Sequence, residues 1–155
     1  MATLKHFPHA AFLDRLESIS TPALPTDVTV LPASLAPMLL DADGKPTASV
    51  ACLIRLLDAH KAVLQATFDT ELVADELRRH QKFARSGPPS PHIVQLRRQQ
   101  STVRQTASQS KQSFIRIAAA FVREARLDVP QRIPLETFTI RWIDANIPQD
   151  SAAAR

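Results

Sequence analysis

Two long stretches of the chain place apolar residues three and four positions apart. In the first, Val50, Leu53, Ile54, Leu57, Leu64, Phe68, Leu72 and Val73 fall on one helical face. In the second, Ile93, Leu96, Val103, Ala107, Phe114, Ile117, Phe121 and Ala125 do the same. From Ile93 to Phe121 these residues fill alternating a and d heptad positions, with Gln100 and Ser110 as polar exceptions. Proline bounds both stretches. The chain has 12 prolines, yet none lies within 47–87 or 92–129. Proline removes an N–H donor and clashes with the preceding turn, so these windows are where long helices can run.

The spacing therefore predicts helices over 47–85 and 91–126. Thr47 or Ser49 can cap the first, and Gly87-Pro88-Pro89 stops it. Ser90 with Pro91 suits the start of the second. A connection this short makes an antiparallel helical hairpin. At 1.5 Å per residue each helix would span roughly 55 Å, more than the short flanking elements can cover. That length implies kinks, a homodimer or a place in a larger assembly.

The flanks are shorter. His9–Ser20 reads as an amphipathic helix with Phe12, Leu13, Leu16 and Ile19 inward. Residues 21–46 are Pro-rich and connect irregularly, with one helical turn within Ala33–Leu40. Asp41 to Lys45 forms a turn in which Gly44 takes positive φ. Residues 135–146 fit two patterns. Leu135, Phe138, Trp142 and Ile143 suit a helix after Pro134, whereas Phe138, Ile140 and Trp142 alternate as a strand would. The helix is favoured, because Val28–Leu31 is the one partner strand in sight. The expected architecture is all-α. A single helical domain covers 1–148, and a disordered tail covers 149–155.

Composition narrows the function classes. Two glycines in 155 residues leave no P-loop and no dinucleotide-binding turn. A single cysteine excludes a disulfide framework and a Cys-based zinc site. No long apolar run is present, so no membrane partner is expected, and the N-terminal stretch lacks the apolar core of a signal peptide. A cytoplasmic location follows as the expectation.

Charge is what changes the picture. The net value is +4, but residues 78–123 hold ten basic side chains and no carboxylate. Residues 1–77 hold five basic and ten acidic ones. On the second helix Arg97, Arg104 and Lys111 recur every seven residues and share a stripe. Arg98, Arg116, Arg123 and Arg126 widen it, centred well away from the apolar face. Gln99, Gln105, Gln109, Gln112, Ser101, Thr102, Ser108 and Ser113 lie between them. Arg78, Arg79, Lys82 and Arg85 extend the patch across the connection.

Such a surface suits phosphate. Arg offers a bidentate fork, Lys a point charge, and Ser, Thr and Gln neutral contacts. The expectation is a non-enzymatic protein, or small subunit of a nucleoprotein assembly, that binds DNA or RNA. Arg78, Arg79, Lys82, Arg85, Arg97, Arg98, Arg104, Lys111, Arg116 and Arg123 would carry the contacts. Aromatic residues do not interleave with the charges, so base stacking is not part of this reading.

Competing readings are specific. The basic helix could pair with its neighbour, Glu71 and Asp75 meeting Arg104 or Gln100, and Asp58 meeting Arg116. It could dock an acidic protein, or the hairpin could serve as a helical adaptor or chaperone-like module that holds a protein partner. A helix-turn-helix over Phe114–Arg126 and Leu135–Asn146 fits poorly, because its eight-residue connection holds two prolines and no glycine. His6, His9, His60, His80 and His92 are scattered, so no metal or cofactor is expected, and His60 borders the apolar stripe. Cys52 reads as a small buried hydrophobe. No catalytic constellation is recognisable.

Overall fold

The computed structural model describes residues 6–21, 31–84 and 86–150. Among them every named element is helical: α1 (Ala10–Ser20), α2 (Ala36–Leu39), α3 (Ala48–Lys82), α4 (Pro91–Glu124) and α5 (Leu135–Asn146). The hairpin of α3 and α4 is the frame. Helix α1 and the single turn α2 pack on α3, and α5 packs on α4. Residues 135–146 are helical, with Thr139 and Ile143 buried. Most of Val28–Leu31, the one candidate partner for the strand alternative, falls within 22–30, outside the described residues.

Both long helices begin and end for local reasons. The Ser90 hydroxyl accepts the Ile93 N–H at 3.3 Å, capping α4, and Pro91 takes the first helical position, where no N–H is needed. Thr47 occupies the corresponding position before α3, but its side chain does not cap. Its hydroxyl instead donates to the carbonyls of Met38 and Leu39, tying the end of α2 to the start of α3. Helix α3 stops at Lys82, short of Gly87. At its other end α4 closes in a Schellman motif, with Leu127 N–H bonded to Val122 C=O at 3.0 Å and Arg126 N–H to Arg123 C=O at 3.3 Å. Arg126 occupies the left-handed position at φ 53°, where glycine is usual.

The core is not spread evenly along the hairpin. The main cluster lies at one end, where Phe12, Leu13 and Leu16 of α1 meet Leu39, Leu53, Leu56, Leu57, Phe114, Ala118, Phe121 and Ile143. Trp142 packs on Phe121 at a ring-centroid distance of 5.1 Å. Toward the other end no further helix among the described residues joins. There Leu77, Ile93 and Leu96 form a separate small cluster. The 35 residues of α3 run about 52 Å, so the far half of the hairpin projects as a two-helix arm. Along it the seam is thin: Ala66 and Val103 are buried, while Gln100, Ala107 and Ser110 are only partly covered. Cys52 is half-buried against the main cluster.

The two ends of the described chain meet at the base. Asp150 N–H donates to Pro8 C=O at 2.7 Å, and its carboxylate accepts from Ala11 N–H at 3.2 Å. A carboxylate from the far end of the chain thus satisfies a free donor in the first turn of α1. The anchored chain therefore runs to Asp150, into the stretch expected as tail; residues 151–155 lie outside the described residues. His60 is buried in the same region, with its ring centroid 6.0 Å from Phe7, 5.8 Å from Phe114 and 6.5 Å from His9.

Candidate nucleic-acid interface

Arg78, Arg79 and Lys82 sit on the last turns of α3, and Arg97, Arg98, Arg104, Lys111, Arg116 and Arg123 on α4. All are exposed. Arg85 lies outside the described residues. Helical geometry sorts the α4 residues into two rows. At about 100° per residue, Arg97, Arg104 and Lys111 form one row, and Arg98, Arg116 and Arg123 a second, roughly 100° further round.

The rows differ in surroundings. A seven-residue repeat drifts by about 20° per step on a straight helix, so the first row turns toward the seam as it descends. Arg97 borders the loop at the tip. Lys111, two repeats on, has reached α5, where its ammonium lies 3.2 Å from the Glu136 carboxylate. The expected single stripe is thus a flank that starts in solvent and ends against a neighbouring helix. The second row lies almost opposite the buried face. Arg98 lines a shallow groove with Gln95, Gln99 and Thr102 of α4 and Asp69, Leu72, Val73 and Glu76 of α3.

The α3–α4 charge pairs considered above do not form. Among the described residues, the basic groups of this span make two ion pairs, Arg78–Asp75 at 2.6 Å within α3 and Lys111–Glu136. Glu71, Asp75 and Asp58 make none with α4. Both observed pairs are surface contacts, each contributing about 0–1 kcal/mol. Among the described residues, Arg79, Lys82, Arg97, Arg98, Arg104, Arg116 and Arg123 meet no carboxylate partner.

Two histidine groupings emerge that sequence spacing did not show. His80 and His92 meet at the tip of the arm. His9 and His60 adjoin at the base, where the His9 ring donates through Nδ1 to Pro148 C=O at 3.0 Å and places Nε2 3.8 Å from Asp144. Burial pushes the His60 imidazole below its ordinary value, the nearby His9 adds to that, and Asp144 opposes it. No helix among the described residues is long and apolar enough to cross a membrane. No protein-family model, curated protein or solved structure matches this chain.

Proposed function

We propose that the chain is a non-enzymatic nucleic-acid-binding protein, or a small subunit of a nucleoprotein assembly, whose arm holds a phosphate backbone. One observation carries the reading. The carboxylate-free span 78–123 runs from the projecting arm, which carries Arg78, Arg79, Lys82, Arg97, Arg98 and Arg104, down the exposed side of α4 to the base, where Lys111, Arg116 and Arg123 lie, and most of its cations stay exposed and unneutralised by α3. Unpaired cations on such a surface release condensed counterions when they meet phosphate, which gives affinity with little sequence preference. The test is fluorescence anisotropy with labelled duplex DNA and with RNA, at about 50 and 200 mM salt, beside the Arg97→Glu/Arg104→Glu/Lys111→Glu variant. Binding that weakens with salt and is lost in the variant supports the reading. Absence of binding at the lower salt overturns it.

The arm also gives grounds for a second reading, a helical adaptor that holds a protein. Leu72 is 41% exposed in the groove beside Arg98, and Phe83 at the tip is 81% exposed. Apolar side chains of this size in solvent are features of a protein-docking surface. The anisotropy experiment separates the two, since an adaptor has no need of salt-sensitive binding to nucleic acid.

A further inference from the structure

The tip of the arm brings together three side chains with metal-ligating atoms. Glu76 and His80 are four residues apart on α3 and so share a face. His92 is the second residue of α4, directly across the hairpin. Its position is fixed by the Ser90 cap and by Ile93, which packs into the small cluster with Leu77 and Leu96. The His80 and His92 rings meet edge to face, their centroids 4.4 Å apart and their Nε2 atoms 3.2 Å apart. One ligand atom from each of Glu76, His80 and His92 lies within 4.8 Å of the others.

We infer that Glu76, His80 and His92 form a site for a divalent transition-metal ion of the zinc class, which clasps α3 to α4 at the tip. The spacing suits the ion. Two nitrogens bound tetrahedrally at 2.0–2.1 Å stand about 3.3 Å apart, close to the separation already present. One neutral imidazole can donate its N–H to the other, and a metal replaces that single proton with bonds to both lone pairs. A Glu76 carboxylate oxygen lies within 4.8 Å of both histidine ligand atoms, close enough to supply the third ligand. All three residues are exposed, so water can fill the remaining position.

The surroundings select the kind of ion. Arg79, Lys82 and Arg97 are close in sequence to the ligands, and the N-terminus of α4 adds partial positive charge. A cation held by Coulomb attraction to oxygen, such as calcium or magnesium, is disfavoured there. Imidazole coordination to zinc, nickel or copper is directional and tolerates that field. The ion would tie residues 76–80 to residue 92 where the seam offers three apolar side chains. This inference is independent of nucleic-acid binding.

The test uses metal-free full-length chain, without nucleic acid, titrated with Zn²⁺ against a chromophoric chelator. One ion per chain is expected. His80→Ala and His92→Ala should each weaken binding at least about tenfold, since loss of an outer partner alone costs that much in known sites. Glu76→Gln should weaken it less, and His6→Ala should leave it unchanged. Ca²⁺ and Mg²⁺ should not compete. Zn²⁺ should also slow amide exchange near residues 77–96. His80 and His92 are exposed, and circular dichroism checks that their variants fold. His80→Gln provides a second variant. No binding, or binding that survives loss of both histidines, overturns the site.

Discussion

Acidification should destabilise this fold through His60, and the size of the effect can be bounded. The imidazole is 7% exposed, enclosed by Phe7, His9 and Phe114, and its Nδ1 has no hydrogen-bond partner among the described residues. Burial favours the neutral ring, so its folded pKa lies below the ordinary value of 6.5. The titratable groups facing it are His9 at the start of α1, which lowers it further, and Asp144 of α5, which raises it. Below pH 6.5 the unfolded chain gains a proton that the folded chain resists. Stability contributed by the neutral ring is thus present above pH 6.5 and is lost as pH falls toward the depressed folded value. One proton sets a ceiling of about 1.4 kcal/mol per pH unit, or about 2 kcal/mol between pH 6.5 and 5.0. His60→Leu removes both the ionisable ring and the unpaired nitrogen. An unpaired buried polar atom costs about 1–3 kcal/mol, so the variant should be at least as stable as the parent at pH 7.5. Urea denaturation at pH 7.5, 6.5, 5.5 and 5.0 reads both quantities, with the parent losing up to about 2 kcal/mol more than the variant on acidification. Parallel profiles for parent and variant would refute the reasoning.

The uneven core makes a second prediction. Phe121→Ala, at the base and fully buried, should cost about 3–5 kcal/mol in global stability by urea denaturation. Leu96→Ala, equally buried but packed with only Leu77 and Ile93 in its cluster, should cost about 2 kcal/mol. Hydrogen exchange should then quicken along the arm while amides near Phe114 and Ile143 stay protected; equal losses in both regions would contradict a separately packed arm. Arg126→Gly should raise stability by about 1 kcal/mol, because glycine adopts the left-handed position without steric cost. An unchanged or lower melting temperature would count against strain at that residue.

Much of the architecture was legible because its signals are local. Proline-free windows with three- and four-residue apolar spacing gave both long helices, and Ser90 with Pro91 marked the start of α4. The pattern of Phe12, Leu13, Leu16 and Ile19 gave α1. Other features depend on which surfaces meet. Thr47 has the right chemistry for a cap, yet its hydroxyl finds the Met38 and Leu39 carbonyls once α2 folds back. His80 and His92 are 12 positions apart and become neighbours only when the register of the hairpin is set. His9 and His60 come together only when α1 docks on α3. The basic span was plain in the sequence, and so was its exposure. The two groups of cations on α4 were separable there as well; the contact of Lys111 with Glu136 was not, because it depends on where α5 packs.

The most direct measurement is the salt slope of binding, log Kd against log salt concentration, on one labelled duplex DNA and one RNA of equal length. The parent is compared with Arg97→Gln/Arg104→Gln and with Arg98→Gln/Arg116→Gln/Arg123→Gln. Each phosphate contact contributes about 0.9 to the slope on duplex DNA, so each neutralised contact should flatten it by roughly one. If three of these α4 cations engage, affinity should fall about 40-fold between about 50 and 200 mM salt. Flattening in either variant, with its fold intact by circular dichroism, is the predicted result and identifies the row that holds phosphate. Binding that is insensitive to salt, or slopes that match the parent in both variants, would contradict phosphate recognition by the basic rows of α4.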